Sequence, residues 1–554
     1  MLRFKDKDII SNSVKGKTIT SGQCILLVTL FFVIVQNALF YYQVWQVALA
    51  SDIESVGFVF ILPIILFALF TLLFNLIFWP VIGKLLCISL LFVATAVNYF
   101  IYSFNAVIDT EMIRNVMETN ISEASALITP RLFIALAVMA VLPSIWLIRI
   151  RVTYRSFGKE LRQRLLHILM AIVVALALAS FFYKDFAPFF RNNRVLLKSV
   201  VPVNVIAGVK NYIEQQIAAN QPFLDLGLDA KKGEALLQQP KKTLTILVLG
   251  ETARAENFAL NRYPRQTNPA LSLRKDLVSY QQVSSCGTAT ATSVPCMFSR
   301  MTRETYDAVQ AQNESSVLAI LSRANVELLW RENDGGCKGV CRGLPYEEMT
   351  TSKSPLCSAE GCYDEILLDN LQSYIDKQEN DTLIVLHQMG SHGPSYYQRY
   401  PDKYRKFTPT CDTNSIQNCS QEALENTYDN TIVYTDAVLD QVITLLENNS
   451  ERFVTSMLYI SDHGESLGSK GLYLHGAPYM LAPSQQTQVP LIMWMSPQYQ
   501  RNHQINMDCL QQQASSNAYS HDNLFHTLLG MYDIKTTEYQ PDLDMLKACR
   551  RQGQ

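Results

Sequence analysis

The sequence predicts two structural classes in one chain: an α-helical five-span membrane domain, then an exported α/β domain. Two observations carry this. Residues 22 to about 183 hold apolar runs at roughly 22–46, 57–78, 80–103, 130–148 and 165–183, each near the about 20 residues that a bilayer crossing needs. The second half instead alternates short, partly β-branched apolar runs with helical patterns, as a sheet covered on both faces requires.

Charge sets the expected orientation. Arg3, Lys5, Lys7, Lys15 and Lys17 precede the first run, and Arg149, Arg151, Arg155, Lys159, Arg162 and Arg164 separate the fourth from the fifth. Basic loops stay on the cytoplasmic side, so an odd number of crossings places residues 184–554 outside, together with the loop after the third run. The first run is too long for a removed signal and lacks a small-residue cleavage site, so it reads as an anchor. A net charge of −2 gives no support for a nucleic-acid partner, and no oligomeric state follows from the sequence.

Residues 184–241 read as a linker. Phe186, Phe189, Phe190, Val195, Leu196 and Leu197 alternate with Arg191, Arg194 and Lys198, which suits a segment lying in the membrane interface, the alternative being a plain tether. The expected division is therefore 1–183, 184–241 and 242–554.

Cysteine usage agrees with export. Only Cys24 and Cys87 fall in the membrane half. The other ten form close neighbours Cys286/Cys296, Cys337/Cys341, Cys357/Cys362 and Cys411/Cys419, with Cys509 and Cys549 left over as a fifth pair. An even count outside the cytoplasm predicts disulfides. A four-thiolate zinc site of Cys337, Cys341, Cys357 and Cys362 competes, but the spacings fit zinc ribbons badly and free thiolates survive poorly under oxidation.

Three apolar runs end at metal-type residues. Leu244 to Leu249 stops at Gly250-Glu251, and Leu383 to Leu386 runs into His387 and then Gly390-Ser391-His392-Gly393-Pro394. Leu458 to Ile460 ends in Ser461-Asp462-His463-Gly464-Glu465. Read as buried parallel strands, these runs bring ligands together beyond their carboxyl ends, so Glu251, Asp462 and His463 are expected at one rim. Carboxylates with an imidazole suit zinc or a similar divalent ion. Val326–Trp330 and Val489–Met495 read as further strands, and helical patterns cover about 314–323, 362–377, 421–447 and 520–531.

The stretch from Cys286 to Cys296 is rich in hydroxyls and closed by cysteines. A disulfide there would hold one hydroxyl rigidly, and a metal ion or a helix N-terminus would lower its pKa. Thr288, Thr290, Thr292 and Ser293 are all eligible, with an ordinary Ser/Thr-rich turn as the bland alternative. His392 and His475 sit in Gly/Pro-punctuated loops and read as ligands or as contacts to phosphate and leaving group. His167, His503, His521 and His526 read as structural or solvated.

Four motifs together carry a resemblance: Val248-Leu249-Gly250-Glu251-Thr252-Ala253-Arg254, Ser285-Cys286-Gly287-Thr288-Ala289-Thr290, Gly390-Ser391-His392-Gly393-Pro394 and Ser461-Asp462-His463-Gly464-Glu465-Ser466. The chain resembles the phosphoethanolamine transferases of Gram-negative inner membranes, within the alkaline phosphatase superfamily. Among them it is most similar to the lipid A-modifying group related to the mobile colistin-resistance enzymes. The resemblance implies an alkaline-phosphatase-like periplasmic domain, phosphatidylethanolamine as donor, lipid A or lipopolysaccharide as acceptor, and reduced polymyxin binding. It implies Thr290 as nucleophile and one zinc held by Glu251, Thr290, Asp462 and His463, a second zinc during turnover being left open. Glu465, His392 and His475 would lie around that zinc, contacting phosphate or a second metal, and Lys338 would contact substrate. A serine that contacts substrate in some relatives is matched here by Gly335. Asn115, Thr119 and Glu123 match positions linked to the donor head group, and their spacing stacks them on one helical face. The rival readings are transfer to core sugars, a membrane-anchored periplasmic phosphatase or sulfatase, and a non-catalytic sensor.

Overall fold

A computed structural model describes residues 18–50, 57–119, 124, 127–182, 189–190, 193–218, 222–350, 352–358, 361–414 and 416–550. The chain divides into two compact units, one of residues 1–102 with 130–206 and one of residues 103–129 with 207–554. The N-terminal basic tail, and Phe186 and Arg191 of the expected interfacial segment, lie outside the described residues.

Among the described residues, four helices are long and apolar enough to cross a membrane: Phe58–Ile77, Ile82–Phe104, Pro130–Arg149 and Phe157–Phe181. The expected first span is a pair of helices, Ser21–Gln36 and Ala38–Leu49, bent by 46°, which makes a fifth crossing if the pair is one span. Asn37 sits at the bend and repairs the backbone. Its Nδ2 donates to the carbonyls of Phe32 and Val201 at 2.9 and 2.8 Å, and its Oδ1 accepts from the Val201 N–H at 3.0 Å. A broken helix in an apolar medium needs such partners.

The expected fifth span begins earlier, at Phe157. Arg164, placed by charge in a loop, is buried inside this helix. It bonds Glu160 at 2.9 Å and the carbonyls of Asn75 and Phe78 at 2.7 and 2.6 Å, closing the carboxyl end of Leu62–Ile77.

The second unit is built on a seven-stranded sheet of β1 (Lys242–Gly250), β2 (Leu277–Tyr280), β3 (Glu327–Glu332), β4 (Tyr346–Glu348), β5 (Thr382–His387), β6 (Phe453–Ser461) and β7 (Leu491–Met495). The order is β2-β7-β6-β1-β5-β3-β4, all neighbours pairing parallel except β7, which runs antiparallel to both of its own. Alternation along the strands feeds two cores. Leu247, Leu249, Val385 and Ile460 enter one, with Leu524 and Leu528; Ile246, Val248, Ile384 and Tyr459 enter the other, with Tyr428 and Ile432.

Register places Ser461 opposite Gly250, Leu249 opposite both Ile460 and His387, and His387 opposite Glu332. The carboxyl ends of β6, β1, β5 and β3 therefore finish together, and the residues just beyond them share one rim. Helices α1 (Thr110–Glu118), α2 (Thr290–Met297), α3 (Gln421–Asn448) and α4 (Asp522–Met531) complete the parts that matter to the site. The helical pattern expected over 362–377 is instead a 3-10 segment, Asp364–Leu368, and a short helix, Leu371–Ile375. Asn370 separates them with a left-handed φ of 55°.

Cysteines pair as Cys286–Cys296, Cys337–Cys341, Cys357–Cys362, Cys411–Cys419 and Cys509–Cys549, while Cys24 and Cys87 are free and buried. These pairings leave no thiolate for the rival four-cysteine zinc site.

Candidate active site

Glu251 follows β1, while Asp462 and His463 follow β6, and all three are fully buried. One ligand atom from each lies within 4.8 Å of the others. Thr290 opens α2 behind an extended Ala289, so its hydroxyl stands at the positive end of the helix. Its Oγ1 is 3.3 and 3.2 Å from the two Glu251 oxygens and 3.4 Å from His463 Nε2.

The other three eligible hydroxyls face elsewhere. Thr288 Oγ1 donates to the Ala477 carbonyl at 2.6 Å, Thr292 Oγ1 to Glu111 Oε2 at 2.5 Å, and Ser293 Oγ to the Asp462 carbonyl at 2.5 Å. From Thr290 onward this stretch is helical rather than a turn. The Cys286–Cys296 disulfide and His521 pin it: His521 Nδ1 accepts from the Cys286 N–H at 3.1 Å, and Nε2 donates to the Ser461 carbonyl at 2.9 Å. Burial pushes His521 down to about 4, which keeps the ring neutral and able to do both.

Backbone geometry holds Glu251 just as firmly. Thr252 adopts a φ of 50°, uncommon for a β-branched residue, and its N–H donates to Asp462 Oδ1 at 3.2 Å. Gly390 has a φ of +52°, and a Cβ there would stand 2.6 Å from the Glu251 carbonyl. That glycine lets the His392 loop lie against Glu251, where the Ser391 N–H donates to the same carbonyl at 3.0 Å.

Electrostatics suit a metal. Burial pushes His463 down to about 4 in spite of Asp462, so its imidazole is neutral. Its Nδ1 donates to the Gly464 carbonyl at 2.9 Å, leaving a lone pair on Nε2 toward Glu251, Asp462 and Thr290. Burial opposes charge on Asp462, but hydrogen bonding, the Thr252 N–H included, helps hold it below the usual carboxylate range. Asp462 Oδ2 is buried and has no hydrogen-bond donor. An undonated carboxylate oxygen beside a neutral imidazole nitrogen and a hydroxyl is the donor set that a divalent cation takes.

The remaining expected residues surround this group. Glu465 is fully buried, with His475 Nδ1 3.4 Å from its Oε1. The His475 ring lies 4.5 Å from that of His463 and 5.3 Å from that of His392. Lys338 Nζ donates to the Gly335 carbonyl at 2.9 Å and reaches the Glu118 carbonyl at 3.5 Å. Asn115, on α1, lines a cavity of about 100 Å³ with Glu111, Thr288, Thr292 and Gly476. The expected helical face is not formed as far as Thr119: α1 ends at Glu118 and Thr119 is extended, its Oγ1 donating back to the Asn115 carbonyl at 2.7 Å, while Glu123 lies outside the described residues.

Asp334 and Glu332 carry no expected role in the sequence, where His387 stands only as a strand end. Glu251, Asp334 and His387 nonetheless form a second tight group of buried ligand atoms, again within 4.8 Å of one another. The signal was a carboxylate just past β3, readable only once β3 is known to pair with β5.

This sheet, with paired carboxylates, an imidazole and a helix-borne hydroxyl at its carboxyl rim, defines a sulfatase-type domain of the alkaline phosphatase kind. A family model described as Sulfatase matches residues 243–534. A second, described as Phosphoethanolamine transferase EptA/EptB, matches residues 66–217. The chain is 43% identical over 531 residues to phosphoethanolamine transferase EptA of Escherichia coli (strain K12), covering 95% of this chain and 96% of that protein. It is 33% identical over 518 residues to phosphatidylethanolamine transferase Mcr-1 of Escherichia coli, covering 92% and 94%. The integral membrane lipooligosaccharide phosphoethanolamine transferase A (EptA) from Neisseria meningitidis superposes with a TM-score of 0.92 at 39% identity, over 97% of this chain and 100% of that one. The chain belongs to the phosphoethanolamine transferase family.

Proposed function

We propose that the protein moves phosphoethanolamine from phosphatidylethanolamine to a phosphate of lipid A through a phosphoethanolamine–Thr290 intermediate. One observation carries the reading: of four hydroxyls in the Cys286–Cys296 segment, that of Thr290 turns to Glu251 and His463. In the first half-reaction Thr290 Oγ1 bonds to phosphorus, the bond from phosphorus to the glycerol oxygen breaks, and diacylglycerol leaves. The threonine proton passes toward Glu251, whose oxygens are 3.2 and 3.3 Å away, and His392 or His475 protonates the departing oxygen. In the second, a lipid A phosphate oxygen bonds to phosphorus and Thr290 Oγ1 leaves, regaining its proton. The α2 N-terminus favours negative charge on that oxygen in both steps. A zinc ion held by Glu251, Thr290, Asp462 and His463 would supply Lewis acidity, lowering the hydroxyl pKa and screening the phosphoryl oxygens.

Asn115, Thr119 and Glu123 serve the donor head group, and Lys338 contacts substrate. The helical half, about 1–183, sits in a bacterial inner membrane with five crossings; 184–241 links it to a periplasmic catalytic domain, 242–554. This arrangement suits two lipid substrates whose heads meet at the outer leaflet. Adding an ammonium to a lipid A phosphate lowers surface negative charge and weakens polymyxin and colistin binding. The test is mass spectrometry of lipid A from cells with and without the gene. Added phosphoethanolamine on lipid A is the expected result; modified core sugars above unmodified lipid A would overturn the acceptor.

A further inference from the structure

We propose a second divalent-cation site, built from Glu251, Asp334 and His387, that shares Glu251 with the site described above. All three residues are buried, and one ligand atom of each lies within 4.8 Å of the others. A cluster of carboxylates alone would mean little. The decisive atom is His387 Nε2, on a ring with no exposure, which has no hydrogen-bond partner.

Its tautomer is set by Glu332. The two Glu332 oxygens already accept hydrogen bonds, Oε2 from Trp330 Nε1–H at 2.8 Å and Oε1 from the Asp334 N–H at 2.7 Å. A carboxylate so surrounded accepts again from His387 Nδ1–H, 2.9 Å from Oε2. Burial lowers His387, but the charges of Glu332 and Asp334 outweigh it and hold the ring up at about 9, so a bound ion takes the place of the proton on Nε2, which points away from Glu332. A carboxylate behind an imidazole that offers its other nitrogen is the arrangement that orients metal-bound histidines.

Asp334 Oδ2 stands 4.0 Å from that nitrogen. The gap is too long for a hydrogen bond. Two donor atoms each about 2.0–2.1 Å from one ion stand roughly 3 to 4 Å apart, so an ion fills it without moving the backbone. Rigidity comes from the sheet, since β5 and β3 place His387 opposite Glu332 and Asp334 comes two residues later. Two carboxylates and one imidazole suit zinc or manganese. Glu465, His392 and His475 form no group as tight among the described residues. The inference rests on the proposed first site only through the shared Glu251.

Metal counting on the whole chain separates the two. The full-length protein, purified in detergent and stripped with a chelator, is titrated with Zn²⁺ and its bound equivalents counted by native mass spectrometry. Two equivalents are expected for the wild type, one for Asp334→Asn, one for His387→Gln, one for Asp462→Ala and none for Glu251→Gln. A single wild-type equivalent, kept by Asp334→Asn and His387→Gln but lost in Asp462→Ala, would overturn the second site and leave the first. A single equivalent kept by Asp462→Ala and lost in Asp334→Asn would do the reverse. Electron paramagnetic resonance of the wild type loaded with Mn²⁺ needs no variant to fold. A dipolar-coupled pair of ions is expected. Uncoupled signals alone, as an imidazolium bridging Glu332 and Asp334 would leave, overturn the proposal.

Discussion

Thr290 and Glu251, from separate elements of the second unit, meet at 3.2 Å where α2 begins beyond the end of β1. Removing the hydroxyl removes the proposed bond to phosphorus while costing little packing. Thr290→Ala is expected to lose transfer by about 10³-fold or more with unchanged circular dichroism. Thr290→Ser, which keeps the oxygen, should retain a measurable share of the rate. Normal transfer by the alanine variant would end the assignment.

Glu111 on α1 fixes α2 through its 2.5 Å bond to Thr292 Oγ1, two residues beyond Thr290. Hydrogen bonds to charged groups contribute about 1.5–3 kcal/mol. Glu111→Ala frees the first turn of α2, so transfer to a fluorescent acceptor should fall roughly 10-fold, about 1.4 kcal/mol at the rate constants. Bound zinc should not change. An unaltered rate would show the contact to be idle.

The Cys286–Cys296 disulfide closes a short segment, with a sequence separation of 10. Loop entropy assigns such a link about 3 kcal/mol. The double serine variant should unfold at lower denaturant by that amount. It should also lose transfer below its midpoint, because α2 is no longer held at both ends. Loss of stability with full activity would limit the disulfide to stability alone.

His503 gives the fold a dependence on pH. Burial, aided by Arg550, pushes it down to about 4, and its ring stacks on Tyr499 at 4.2 Å. Unfolded, it titrates near the usual value of about 6.5. The neutral ring's contribution is therefore complete above that value and is lost as pH falls toward the folded value. The loss is at most about 3 kcal/mol. His503→Phe keeps a ring on Tyr499 but cannot titrate. Its stability should fall less than that of the wild type between pH 6.5 and 4, as read by denaturant midpoints of the second unit. Parallel curves would contradict this.

Much of the site is legible because apolar runs stop at Glu251, His387 and Asp462, and a strand's end needs only local pattern. Register is not local. That His387 faces Glu332 depends on β5 lying between β1 and β3, which no run of residues encodes, so the Asp334 and His387 group stays hidden. Composition likewise cannot separate Thr288, Thr290, Thr292 and Ser293. Their directions are set by Ala477, Glu111 and Asp462, each far away in the chain. The bend at Asn37 escapes hydropathy for the same reason, since its partner is the backbone of Val201, 164 residues on.

In the proposed reaction Thr290 carries the transferred group. Incubating the purified chain with phosphatidylethanolamine and no acceptor, then mapping peptides by mass spectrometry, tests it most directly. One phosphoethanolamine added on Thr290, and discharged when lipid A is supplied, is the predicted result. The added group on Thr288, Thr292 or Ser293, or none on the chain while diacylglycerol is released, would contradict it.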